Sequence, residues 1–140
     1  MAGIALYKTA AEIEEVVRRF EDCEYAPEEF VHAKHLTVAA YYFFRWEREA
    51  AETRMRSGLQ NFIRHHQKNA YHETITRFWL QMAGFHCRAE VRGDGLVTTV
   101  NNVVEQLGNK DLIYDYFSRA CLDSPEAKAA WMEPNLKRLP

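Results

Sequence analysis

Four side chains carry the chemistry that this sequence offers: His32 and His35 in the stretch FVHAKHLTVA, and His72 with Glu73 in YHETITRFW. Neutral imidazole is a good ligand for borderline ions. Two imidazoles from one helix and one from another would hold a divalent transition metal, with zinc or iron foremost. Three protein ligands leave a coordination position for water, which the ion would acidify, and Glu73 would then take up a proton or act as a further ligand. Tyr41, Tyr42, Tyr71 and Thr76 are placed to orient ligands or a substrate.

The same residues admit chemistry without a metal. The imidazoles and Glu73 would move protons on, or hydrogen-bond to, a small molecule held beneath the aromatic run Tyr41-Tyr42-Phe43-Phe44. Alternatively they pair within a non-catalytic interaction module, because polar groups left unpaired in a core are costly. The remaining histidines read as structural. His65 and His66 stand beside Arg64 and Lys68 at a helix end, where imidazole suits the dipole, and His86 beside Cys87 has no second thiol or imidazole nearby in sequence. The glycines of RGDG lack the Lys-Ser or Lys-Thr of a phosphate loop, and there is no GxSxG elbow.

Helices must position these groups. Thr9 with Glu12 forms a capping box, and Ile13, Val16, Val17 and Phe20 recur at helical spacing, which predicts a first helix over 10–22. Pro27 as a first helical position, followed by Glu28 and Glu29, predicts a second, deeply buried helix through Phe44 and Trp46. On it Leu36, Ala39 and Phe43 share the face of His32, with His35 at the edge of that stripe. A third helix is expected from Glu47 to Gln67, with Met55, Leu59, Phe62 and Ile63 on one face and Gly58 as a weak point or tight contact. The arginines at 45, 54 and 56 read as a solvated face.

Asn69 caps an expected fourth helix that runs from YHETIT to about Glu90, until RGDG at 92–95 breaks it. Helical geometry places Ile75, Thr76, Trp79, Ala83 and His86 within about 60° of His72, whereas Glu73 lies about 100° away and flanks the pocket. Shorter helices follow over Thr98–Leu107, stopped by Gly108, and over Asp111–Arg119. Ser124-Pro125-Glu126 opens the last helix, and the tail beyond Pro134 reads as extended. Alternating strand patterns and internal repeats are lacking. The reading is all-α: one domain over 1–140, a helical bundle of about four main helices with a smaller C-terminal helical subregion.

The totals narrow the partners. In 140 residues, 47% hydrophobic and 13% aromatic content supplies a core for one domain, while a net charge of −2 argues against nucleic acid and anionic membrane as partners. Cys23, Cys87 and Cys121 are odd in number and form no CxxC, which fits a reducing, cytoplasmic setting rather than a disulfide framework or a thiolate zinc site. Residues 1–20 already contain Glu12, Glu14, Glu15, Arg18 and Arg19, so no signal peptide is read, and no apolar run approaches the roughly 20 residues of a membrane span. A small-molecule substrate and a homodimer stay open.

FVHAKHLTVA, YHETITRFW and SPEAKAAWMEPNLKRLP together resemble a group of small bacterial helical proteins that share F-x-H-x-x-H-L and Y-H-E-T-x-T motifs and a Ser-Pro-Glu-Ala ending. The resemblance spans about residues 27–140 and maps His32, His35, His72 and Glu73 onto the shared polar positions; it implies no reaction. A looser similarity is to DinB-like metal-binding bundles, which implies an ion held by one histidine from one helix and an HxxxH pair from another. This sequence departs from that order, with HxxH in the earlier helix and the single His72 later. The expectation is a metal-binding bundle, with catalysis left open.

Overall fold

A computed structural model describes residues 6–68, 70–89 and 95–140. Its elements are α1 (Ala10–Glu21), α2 (His32–Arg45), α3 (Arg48–His65), α4 (Glu73–Ala89), α5 (Leu96–Leu107), a 3-10 segment (Lys110–Asp115), α6 (Arg119–Leu122) and α7 (Pro125–Ala129). There is no strand among the described residues, so the all-α expectation is met, including the small C-terminal helices.

α1 begins where its capping box places it: the Glu12 amide donates to Thr9 Oγ1 at 3.2 Å and the Thr9 amide to Glu12 Oε1 at 2.9 Å. Its apolar residues Ile13, Val16, Val17 and Phe20 are all buried. The helix closes in a Schellman-type turn, with Glu24 N–H reaching the Arg19 carbonyl and Cys23 at φ 56° in the left-handed region.

α2 starts five residues later than the sequence pattern predicted. Pro27 heads only a turn, in which the Phe30 amide reaches the Ala26 and Pro27 carbonyls, and Val31 at ψ 172° then breaks the helical path. Packing decides this. Phe30 leaves the turn to stack on Phe20, with ring centroids 4.6 Å apart, and to meet Phe62 at 5.2 Å. Burying an aromatic ring of this size stabilises by about 1.5–3 kcal/mol, more than a further helical turn would contribute.

α2 is the central helix and packs against α1, α3, α4 and α5. Leu36, Val38, Ala39, Ala40 and Tyr42 are buried along it, and the Tyr42 hydroxyl donates to Glu21 of α1 at 2.5 Å. α3 crosses α1 at Gly58, where a Cβ would lie 2.6 Å from Phe20 Cε2; the sequence's weak point is a tight contact. The extended N-terminal segment is held to α5 by a reciprocal pair, Tyr7 N–H to Asn101 Oδ1 at 3.0 Å and Asn101 Nδ2 to the Tyr7 carbonyl at 2.9 Å.

The region expected as one helix over Asp111–Arg119 divides into the 3-10 segment and α6, because Ser118 leaves the helical path and caps α6 by accepting from Cys121 N–H. Ser124 caps α7 as its sequence foretold, accepting from the Ala127 amide at 3.1 Å. The C-terminal tail is non-helical, bends at 135–137 rather than running extended beyond Pro134, and is tied back onto the bundle. Thr74 Oγ1 donates to the Ala130 carbonyl and accepts from Met132 N–H, and Leu136 N–H reaches the Tyr116 carbonyl. The expected cap Asn69 and residues 92–94 of the RGDG break lie outside the described residues. No described helix is long and apolar enough to cross a membrane.

Candidate functional site

The first turns of α2 and α4 lie side by side, and between them and α3 is a cavity of about 220 Å³. α2 contributes His32, His35, Leu36 and Ala39; α3 contributes Met55, Leu59 and Ile63; the α4 side contributes Tyr71, His72, Ile75, Thr76 and Trp79. The three histidines singled out from sequence therefore line one chamber. An outer groove of about 390 Å³, lined by Lys110, Asp111, Ile113 and Tyr114, shares His32, His35, Ile75 and Trp79 with it. Those four side chains form the wall between inside and outside.

Each imidazole is already engaged. His72 precedes α4 and caps it: Nδ1 accepts from the Ile75 amide at 3.1 Å, while Nε2–H donates to the Leu122 carbonyl at 2.8 Å. An amide can only donate and a carbonyl only accept, so both ring nitrogens are committed and the proton sits on Nε2. His32 donates through Nε2 to the Leu107 carbonyl at 2.9 Å and meets the Trp79 ring edge-on at 4.5 Å, which leaves Nδ1 as its acceptor. His35 lies against Phe30, with centroids 4.2 Å apart, and bonds to the Phe30 backbone.

Burial makes both α2 imidazoles poor cations. It pushes His35 down to about 4, helped by neighbouring His32 and only partly opposed by the Phe30 bond. His32 is also lowered, chiefly by burial, against the Leu107 bond and together with nearby Lys110. At neutral pH the wall is uncharged.

Glu73 does not line the chamber. Its carboxylate accepts from the Tyr71 hydroxyl at 2.6 Å and pairs with Arg56 at 3.3 Å. Tyr71 is raised to about 12, by burial first and then by Glu73, while Thr76 bonds to its hydroxyl from the other side. Glu73 flanks the chamber, as its helical position implies, and its partner Arg56 comes from a face of α3 whose sequence reads as solvated.

These contacts do not fit the expected metal centre. His72 has no free nitrogen, Glu73 is paired, and among the described residues no group of three His, Cys, Asp or Glu side chains is arranged to hold an ion. Of the expected ligands His32, His35 and His72, only the first two keep a nitrogen for another partner. Tyr41 and Tyr42 do not reach the chamber, whereas Tyr71 and Thr76 do. The His66 ring lies 4.6 Å from that of Phe62 at the α3 terminus, and its Nε2 is buried without a hydrogen-bond partner among the described residues. The partners that decide the roles of His32 and His72 are the backbone carbonyls of Leu107 and Leu122, to which no side-chain pattern points. Trp79 could have been found: it shares the face of His72 in the helical arithmetic.

Comparison with family models, curated proteins and solved structures finds no match to this chain.

Proposed function

We propose that the chamber between α2, α3 and α4 binds one small, mostly apolar molecule, with the histidines serving as neutral hydrogen-bonding groups. The supporting observation is a partly open cavity of about 220 Å³ lined from three helices, with mostly apolar walls and uncharged imidazoles on α2. That volume exceeds the roughly 150 Å³ that accommodates benzene and falls short of the roughly 300 Å³ at which drug-sized sites begin. A single ring with one or two substituents is the fitting size.

Binding is favoured over proton abstraction. An imidazole held near 4 is a weak base at neutral pH, and the Glu73 carboxylate is tied to Arg56 and Tyr71 outside the chamber. A divalent ion on His32 and His35 alone is the competing reading, supported by their place on one turn of α2 and one cavity wall.

Thermal unfolding with toluene tests the proposal. A ligand that binds only the native state raises Tm, so toluene should raise it for the wild type and leave it unchanged in Ala39→Leu, which fills the chamber. Equal shifts in both proteins would remove the chamber as the binding site. Stoichiometric zinc in untagged protein, lost in the His32→Ala/His35→Ala double variant, would favour the metal reading instead.

A further inference from the structure

The polar groups that line the chamber decide what its occupant must carry. Tyr71 gives its hydroxyl hydrogen to Glu73, Thr76 bonds to Tyr71, and both nitrogens of His72 are engaged. These groups complete one another and ask nothing of a ligand. Three remain at the wall shared with the outer groove. His32 keeps Nδ1 and His35 its second nitrogen, both lone-pair acceptors, because each ring's proton is directed to a backbone carbonyl. Trp79 keeps its indole N–H, a donor with no hydrogen-bond partner among the described residues, beside His32 at 4.5 Å between ring centroids.

Two acceptors and one donor, none of them charged, define a complement. A hydroxyl group takes one hydrogen from the indole and gives its own to one imidazole; His35 is the more deeply buried of the two, while His32 can turn to water in the outer groove it also lines. A carboxylate would bring only acceptors and a charge to a wall whose imidazoles also accept; an ammonium would bring a charge with no anion lining the chamber. A purely apolar molecule would fill the space and leave the wall groups without partners once water is displaced.

We propose that the ligand of this chamber is a neutral, single-ring-sized molecule bearing a hydroxyl group, its apolar body between α3 and α4 and its hydroxyl between the Trp79 indole and His35. The inference rests on the chamber being a binding site and adds the chemical class of what binds. It also orients the ligand: the hydroxyl end faces the wall next to the outer groove, and the ring lies against Leu59, Ile63 and Ile75.

p-Cresol and p-xylene form the deciding pair, since they differ by hydroxyl against methyl at nearly equal volume. Water exclusion alone favours p-xylene, the more apolar of the two. By NMR titration at pH 7, the wild type should bind p-cresol at least tenfold more tightly than p-xylene. In His35→Leu that preference should fall to threefold or less, with p-xylene affinity retained. p-Xylene binding as tightly as p-cresol in the wild type, or 4-methylbenzoate binding more tightly than p-cresol, would overturn the hydroxyl inference while the chamber stands. Binding of none of the three would overturn the chamber reading itself. The wild-type comparison decides even where His35→Leu fails to fold.

Discussion

The Nε2–H of His72 donates to the Leu122 carbonyl at 2.8 Å, joining the start of α4 to α6 across fifty residues of chain. The other nitrogen of the same ring receives the Ile75 amide. One side chain thus caps a helix and fastens the C-terminal subregion, which is why an imidazole precedes the helix where a serine or asparagine would ordinarily stand.

That double role predicts what its removal does. His72→Ala deprives the Ile75 amide and the Leu122 carbonyl of their partners and should cost about 2 kcal/mol, while His72→Asn, a good cap with a shorter reach, should recover about half. Urea unfolding of chelator-treated protein measures both. A loss that appears only when zinc is present would instead make His72 a ligand.

His35 ties stability to pH. Its folded value of about 4 lies below the 6.5 of a free imidazole, so the unfolded chain binds the extra proton first as pH falls. Its contribution is complete above about pH 6.5 and is lost progressively toward pH 4, a span that corresponds to roughly 3 kcal/mol. His32, lowered in the same sense, adds to it. The drop in unfolding free energy from pH 7 to pH 4.5 should be smaller in His35→Gln than in the wild type, since carboxylates titrate alike in both. An identical drop would show that His35 is not held neutral.

Much of this arrangement was legible in the sequence, and the reason is local. The Thr9–Glu12 box, the Ser124 cap and the stripe on α1 each depend on residues a few positions apart, so their spacing determines their structure. The inward direction of His72 followed equally from helical arithmetic. What stayed hidden depends on long-range packing. Pro27 heads a turn rather than a helix because Phe30 finds Phe20 and Phe62, and Glu73 is neutralised by an arginine from another helix. The three histidines were correctly gathered into one place, yet their chemistry was set by the carbonyls of Leu107 and Leu122 and the backbone of Phe30, which side-chain identities do not encode.

The α1–α3 crossing predicts opposite signs for two small substitutions. Gly58→Ala would gain up to about 1 kcal/mol in helix propensity, but its Cβ would meet a Phe20 ring that is 1% exposed and stacked against Phe30, so overpacking of about 1–3 kcal/mol should prevail. Cys23→Gly, at φ 56°, relieves a left-handed strain and should raise stability by up to about 1 kcal/mol. Thermal denaturation of the two variants checks both signs.

The most direct measurement of the central claim is a methyl NMR experiment with p-cresol bound to the wild type, reading intermolecular nuclear Overhauser effects. Contacts from the ligand ring to the methyl groups of Leu59, Ile63 and Ile75 are expected in the wild type, and none of them in Ala39→Leu. Contacts elsewhere on the surface, or the same contacts in Ala39→Leu, would contradict it.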